Sequence, residues 1–227
     1  MTTDPKQLRL IAERALEFVP EGCSIGLGTG RAATAFIQAL AEKVRAGFGV
    51  RGVATSEASA ELARKLGIPL ATLDECPVLD VDFDGADEVD PAGNLIKGYG
   101  GALVREKIVA AAARRLIILV GPEKVVSRLG SRGKLPVEVI PFGSSSCAEA
   151  IKTLGLVPVL RLDGNEPHLT DNGNYILDCK TGPLDRPDEL EAALRAIPGL
   201  VGTGLFLNMN PTVLVGHADR VEIRGAT

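Results

Sequence analysis

Histidine is almost missing from this chain: only His168 and His217 occur among 227 residues. Both lie far from the acid-rich central stretch, so neither a Ser-His-Asp triad nor a histidine-held metal is expected. Tryptophan is absent and aromatics make up 4%, which leaves little surface for stacking on bases or sugars. The four cysteines, Cys23, Cys76, Cys147 and Cys179, are too widely spaced for a CxxC or zinc-knuckle motif. Buried free thiols are the expectation. There is no long basic run and the formal charge is −4, which argues against nucleic acid or an anionic membrane as partner. No apolar run approaches the ~20 residues of a membrane span. Residues 1–18 read as an amphipathic helix, not a secretory signal, so a cytoplasmic location is expected.

What is present is core-forming: 45% of residues are hydrophobic, ample for one large domain or a domain plus a small one. Asp4-Pro5 has the chemistry of a helix start. Ser24-Ile25-Gly26-Leu27 reads as a strand entering the loop Gly28-Thr29-Gly30, with a helix over about 32–45 behind it. Such a loop at a helix N-terminus is a ready anion site, although many glycine loops are only tight turns. It is not a Walker loop, and no acid ends the next strand, about 51–54, as a dinucleotide site would require. That strand ends in Thr55-Ser56, a sugar-hydroxyl contact or, in preference, a helix cap. Strands are further expected at 68–73, 78–84 and 116–120, the last leading to Lys124. From about residue 131 the pattern changes. Strand 137–141, helix 146–154, paired strands 157–162 and 175–179 and helix 187–196 predict a β-α-β-β-α run. Short strands at 205–207, 213–216 and 221–223 follow. The predicted fold is α/β: a Rossmann-like doubly wound parallel sheet (1–130 plus 204–227) with a smaller ferredoxin-like α+β domain (131–203) inserted before the C-terminal strands.

The chemistry concentrates between Asp84 and Glu106. Over the strand 78–84, Leu79, Val81 and Phe83 point one way and Asp80, Asp82 and Asp84 the other. Asp84 stands at the carboxyl end, where ligands sit in parallel α/β sheets. Gly85, Ala86, Asp87 and a turn at Asp90–Asn94 follow, and Leu95-Ile96 is expected to return to the sheet. Lys97 then opens a glycine-rich loop, Gly98-Tyr99-Gly100-Gly101, able to bring backbone close to a ligand. On the next helix, about 102–115, an apolar face of Val104, Ile108, Ala111 and Ala112 is expected. Glu106 falls opposite, among Ala102, Leu103, Ala110 and Ala113. A glutamate near a helix N-terminus is commonly a solvated charge. Held on an apolar face instead, it is desolvated in the way a general base working near neutral pH needs.

Assembled, these residues resemble the type A ribose-5-phosphate isomerase family over nearly the whole chain. The likeness is carried by Gly28-Thr29-Gly30, by Asp84-Gly85-Ala86-Asp87-Glu88 and by Lys97-Gly98-Tyr99-Gly100-Gly101-Ala102-Leu103. Arg105-Glu106-Lys107 and Leu135-Pro136-Val137-Glu138-Val139 complete it. The resemblance implies interconversion of ribose 5-phosphate and ribulose 5-phosphate in the non-oxidative pentose phosphate pathway. It implies no metal or cofactor, a small sugar phosphate as the ligand, and a homodimer. It makes Glu106 the proton acceptor and Asp84, Asp87 and Lys97 the polar groups at the reacting end. Thr29, Gly30, Arg31, Ala32 and Lys124 match substrate-binding positions, with Gly85, Ala86, Gly98, Tyr99 and Gly100 beside them. The family loop reads Gly-Thr-Gly-Ser-Thr; here the last two residues are Arg31 and Ala32. Two hydroxyls are lost and a guanidinium able to grip phosphate is gained. Tyr99 replaces a family glycine and is expected to narrow the cleft. A sugar-phosphate sensor without catalysis is the alternative reading, ahead of a nucleotide-dependent dehydrogenase.

Overall fold

A computed structural model of the chain describes residues 4–225. The chain forms two compact units, each assembled from separate segments. The first holds the residues up to Ala86, Arg105–Val125 and those from Met209; the second holds Asp87–Val104 and Val126–Asn208. These divisions differ from 1–130 plus 204–227 and 131–203, because the Lys97 stretch and residues 126–130 and 204–208 group with the second unit.

The first unit is built on a six-stranded sheet. Its strands, from one edge, are Val221–Arg224, Thr212–Gly216, Leu116–Val120, Val81–Gly85, Cys23–Leu27 and Val50–Ala54. All neighbours are parallel except the terminal hairpin of 212–216 with 221–224. In chain order this is 2-1-3-4-5-6, so the winding reverses between the first strand and the third, Val81–Gly85. In open parallel sheets that reversal opens the crevice where ligands bind. Asp4 caps the first helix, Pro5–Ala15, its carboxylate accepting from the Lys6 N–H at 3.0 Å. Helix Arg31–Arg45 lays Phe36, Ile37 and Leu40 on the sheet, with the Phe36 and Phe83 rings stacked at 4.3 Å. Each such fully buried side chain contributes about 1.5–3 kcal/mol. No strand forms over 68–73; only a bridge from Leu70 to Gly52 remains. Pro69 offers its carbonyl to Gly52 and Ala71 donates back to the Gly52 carbonyl, but Pro69 has no N–H with which to extend the ladder.

The second unit carries a four-stranded antiparallel sheet in the order Leu200–Thr203, Lys134–Val139, Tyr175–Lys180, Val157–Leu160. With helices Ser144–Thr153 and Pro187–Arg195 this is a complete β-α-β-β-α-β, ferredoxin-like arrangement. Its fourth strand, 200–203, lies in a glycine-rich run and is not among the strands expected from the sequence. A Cβ on Gly202 would stand 2.9 Å from Val104, so glycine is kept there for close packing. The turn at Asp90–Asn94 is present, with the Asp90 carboxylate accepting from the Ala92 and Asn94 N–H groups at 2.9 and 2.8 Å. Leu95–Ile96 does not rejoin the large sheet. It pairs with Glu88–Val89 and with Leu205–Phe206 in a separate three-stranded sheet.

Candidate active site

Within the first unit, the crevice at the winding reversal is made by two loops. The strand Cys23–Leu27 ends in Gly28-Thr29-Gly30, and the strand Val81–Gly85 ends in Asp84-Gly85. They are stitched together: Gly28 donates to the Phe83 carbonyl at 2.9 Å, and Thr29 donates to Asp84 Oδ1 at 3.0 Å. Gly85 N–H adds a third bond, to the same oxygen, at 2.7 Å. Asp84 is fully buried, and these backbone donors fix the position of its carboxylate.

The glycine spacing of the first strand follows from the acids beside it. A Cβ on Gly26 would lie 2.1 Å from Asp82 Oδ1, and one on Gly28 would lie 2.6 Å from the Asp84 Cα. Gly30 serves differently: its φ of 99° is open to glycine at no steric cost and turns the chain into helix Arg31–Arg45. Gly30 has no side chain with which to cap that helix, and helix ends of this kind attract anions. Arg31 is exposed at this end, and Ala32 packs on the core.

The Thr29 hydroxyl is engaged inside the protein, 2.8 Å from both Thr55 Oγ1 and Ser56 Oγ. Ser59 Oγ donates to the Gly28 carbonyl at 2.6 Å. Ser56 also caps its helix by accepting from the Ser59 N–H, as expected. Thr55, Ser56 and Ser59 therefore shape the loop from behind. Only the cap was signalled by the sequence.

Glu106 lies on helix Leu103–Ala112 and is 4% exposed. The expected apolar face was the wrong one for the core: Ile108 is 51% exposed, whereas Leu103, Glu106, Val109 and Ala110 are buried. The helix is so rich in alanine that its apolar pattern marks no single side. It runs antiparallel to the Asp84 strand. Leu79 donates to the Ala112 carbonyl, and Val109 lies with Asp82 against Gly26. Glu106 lies about one turn beyond Val109, ~5 Å along the helix, in the direction in which the strand runs from Asp82 to Asp84. Lys124 is half-buried in the short turn Pro122–Lys124 after strand Leu116–Val120, whose Leu119 pairs with Gly85; Ala86 follows.

The remaining expected residues belong to the second unit. Asp87 is half-buried and its carboxylate accepts from the Tyr99 N–H at 2.9 Å. Lys97 is 3% exposed, donates its N–H to Gly204 and holds its ammonium 5.5 Å from the Phe206 ring centre. Gly98 has φ 101°, and Gly101 N–H returns to the Gly98 carbonyl at 3.0 Å, so Gly98-Tyr99-Gly100 is a closed turn. The Tyr99 ring lies against Lys134, whose ammonium is 4.4 Å from its centre, and its hydroxyl donates to the Lys134 carbonyl at 3.1 Å. Burial first, then Asp87 and Glu88, push that phenol up from its ordinary pKa. Next to Asp87, Glu88 is fully buried and accepts from the Gly130 and Arg132 N–H groups at 2.6 and 2.8 Å. His168 and His217 face Asp163 and Glu222. Among the described residues no group of three His, Cys, Asp or Glu is placed to hold a metal ion, and no helix is long and apolar enough to cross a membrane. All four cysteines are free and buried, and burial pushes Cys179 up to about 12.

Comparison with known proteins identifies the family. Residues 51–220 match the model of the family described as ribose 5-phosphate isomerase A (phosphoriboisomerase A). The ribose-5-phosphate isomerase A of Roseiflexus castenholzii is 50% identical over 216 residues, covering 94% of this chain and 92% of that protein. The solved ribose 5-phosphate isomerase A of Methanocaldococcus jannaschii superposes with a TM-score of 0.93 at 38% identity, over 99% of this chain and 100% of that one. A D-ribose-5-phosphate isomerase solved in complex with phospho-erythronic acid gives 0.94 at 37% identity, over 99% and 100%. The chain belongs to the ribose 5-phosphate isomerase A family, the aldose–ketose isomerases of pentose phosphate metabolism.

Proposed function

We propose that the chain interconverts D-ribose 5-phosphate and D-ribulose 5-phosphate through an enediol or enediolate, with Glu106 moving the proton between C1 and C2. The observation that carries this reading is the burial of Glu106 on the helix face that runs back along the Asp84 strand. An aldose–ketose isomerase must take a proton from carbon beside a carbonyl and return it to the neighbouring carbon. One carboxylate in a dry setting can do both, and positioned acid–base catalysis contributes roughly 10²–10⁴-fold. Asp84 is assigned to the sugar oxygens, between which a second proton must move. Lys97 is assigned to the negative charge that develops on oxygen, and Asp87 to the polar surroundings of the reacting end.

At the far end of the sugar, the phosphate is assigned to the first-turn N–H groups after Gly30, with Thr29 and Ala32 contributing backbone. Arg31 and Lys124 supply the positive charge. Because the Thr29 hydroxyl already bonds Thr55 and Ser56, the guanidinium of Arg31 takes over from the missing loop hydroxyls. Gly85, Ala86, Gly98, Tyr99 and Gly100 are assigned as backbone positions along the substrate. The solved relative that holds phospho-erythronic acid supports a phosphorylated sugar as ligand, since the carboxylate of such an acid resembles an enediolate. A homodimer in the cytoplasm is the proposed assembly and location; light scattering on the purified protein tests the first. The test of function is direct. The protein is mixed with ribose 5-phosphate and ribulose 5-phosphate is followed; binding without turnover would refute the isomerase reading in favour of a sensor.

A further inference from the structure

The Lys97 loop rests on a partly buried ion pair that the reaction chemistry alone does not call for. Arg161 follows the edge strand Val157–Leu160, and its side chain is 12% exposed. One guanidinium nitrogen, Nη1, donates to the carbonyls of Gly98 and Tyr99, both at 3.2 Å. The other two are occupied by Asp178: Nε to Oδ2 at 2.9 Å and Nη2 to Oδ1 at 2.5 Å. Asp178 sits on strand Tyr175–Lys180, paired on both sides, so it is a rigid anchor. A bidentate pair fixes the plane and the direction of the guanidinium. Here that direction is toward the two loop carbonyls that follow Lys97.

On the other side Lys97 is held as closely. Its N–H donates to the Gly204 carbonyl at 2.9 Å, and its own carbonyl packs so near that a Cβ on Gly204 would stand 2.4 Å away. Lys97 is thus fixed from both flanks, by Gly204 before it and by Arg161 after it. We propose that Arg161, oriented by Asp178, is a positioning residue for isomerisation that sets the Lys97 ammonium; this rests on the role given to Lys97 above. A misplacement of about 1 Å in a group acting on the transition state can cost ~10²-fold.

Arg161→Met keeps the stem and removes every donor; Arg161→Lys keeps one. Two readouts separate the claim from simple loss of structure. Amide hydrogen exchange at residues 98–101 is expected to quicken in Arg161→Met while the amides of strands 134–139 and 175–180 stay protected. Its kcat is expected to fall ~10–100-fold with KM changed far less, Arg161→Lys lying between. In a Lys97→Met background, the further loss from Arg161→Met is expected to vanish, because both changes remove one function. Unchanged exchange at the loop overturns the clamp itself, whatever the activity. Additive losses in the double variant overturn action through Lys97. Faster exchange with full turnover overturns the proposal from the other side: Arg161 holds the loop, but that hold does not set the Lys97 ammonium, whereas full turnover in Lys97→Met would overturn the role given to Lys97 instead.

Discussion

Replacing Gly28 with alanine tests the packing at the heart of the site. The added Cβ would stand 2.3 Å from Asp84 Oδ1, 2.4 Å from its Cγ and 2.6 Å from its Cα. Carbon atoms in contact prefer about 3.5–4.0 Å, so a gap of about an ångström must open. Rotating the Asp84 side chain cannot open it, because the last of these atoms belongs to the backbone. The two strands must separate there, and the Thr29 and Gly85 N–H bonds to Asp84 Oδ1 stretch with them. Overpacking of this sort costs about 1–3 kcal/mol. For a chain of this length each kcal/mol lowers Tm by about 2–4 °C, so a ~2 kcal/mol loss reads as about 4–8 °C. Turnover falls further than stability implies, by ~10²-fold, because Asp84 itself is displaced. Gly85→Ala is the control: its Cβ would meet nothing nearer than 3.7 Å and its φ is not left-handed, so its Tm stays within ~1 °C of the parent. Thermal melts and a ribose 5-phosphate assay on both variants decide the matter. A Gly28→Ala protein with parental Tm and parental turnover would refute the packing argument.

Three further outcomes follow from the same geometry. Arg31→Ala is expected to raise KM for ribose 5-phosphate ~10-fold or more at nearly constant kcat, as loss of one charged hydrogen bond of about 1.5–3 kcal/mol requires; an unchanged KM would leave the phosphate to the backbone alone. Tyr99→Phe removes one bond to the Lys134 carbonyl and is expected to cost about 1 kcal/mol, whereas Tyr99→Gly, which restores the family residue, loses the ring packing as well and costs at least twice that in a denaturant titration. Glu88 has its pKa raised by burial, against the N–H donors of Arg132 and Gly130. Between the ordinary glutamate value and the raised one, the folded chain keeps a proton that the unfolded chain has released. Its contribution to stability therefore falls as pH rises through that window, and the fall is absent in Glu88→Gln melts taken over the same range.

Much of the candidate site's local structure could be read from residue order because it lies in local chemistry. The glycine loop before a helix, the alternation that ends at Asp84 and the Asp90–Asn94 turn are each specified within a few residues. The buried face of the Glu106 helix was not, since alanines pattern a helix weakly and the burial of Ile108 or of Glu106 is decided by what packs against them. Strand 200–203 escaped because glycine has low strand propensity, and its reason for being glycine is a neighbour about a hundred residues away, Val104. The pairing of Leu205–Phe206 with Leu95–Ile96, and the reach of Arg161 to Gly98, are likewise long-range. Nothing near Arg161 in the chain marks it.

The central claim is that Glu106 is the base. The most direct measurement is the isomerisation of ribose 5-phosphate in EDTA by the parent chain and by Glu106→Gln, with binding of the sugar phosphate measured alongside. The account predicts EDTA-resistant turnover in the parent and a loss of ~10²-fold or more in the variant, with binding kept. A Glu106→Gln protein that binds and turns over the sugar at close to the parental rate would contradict it.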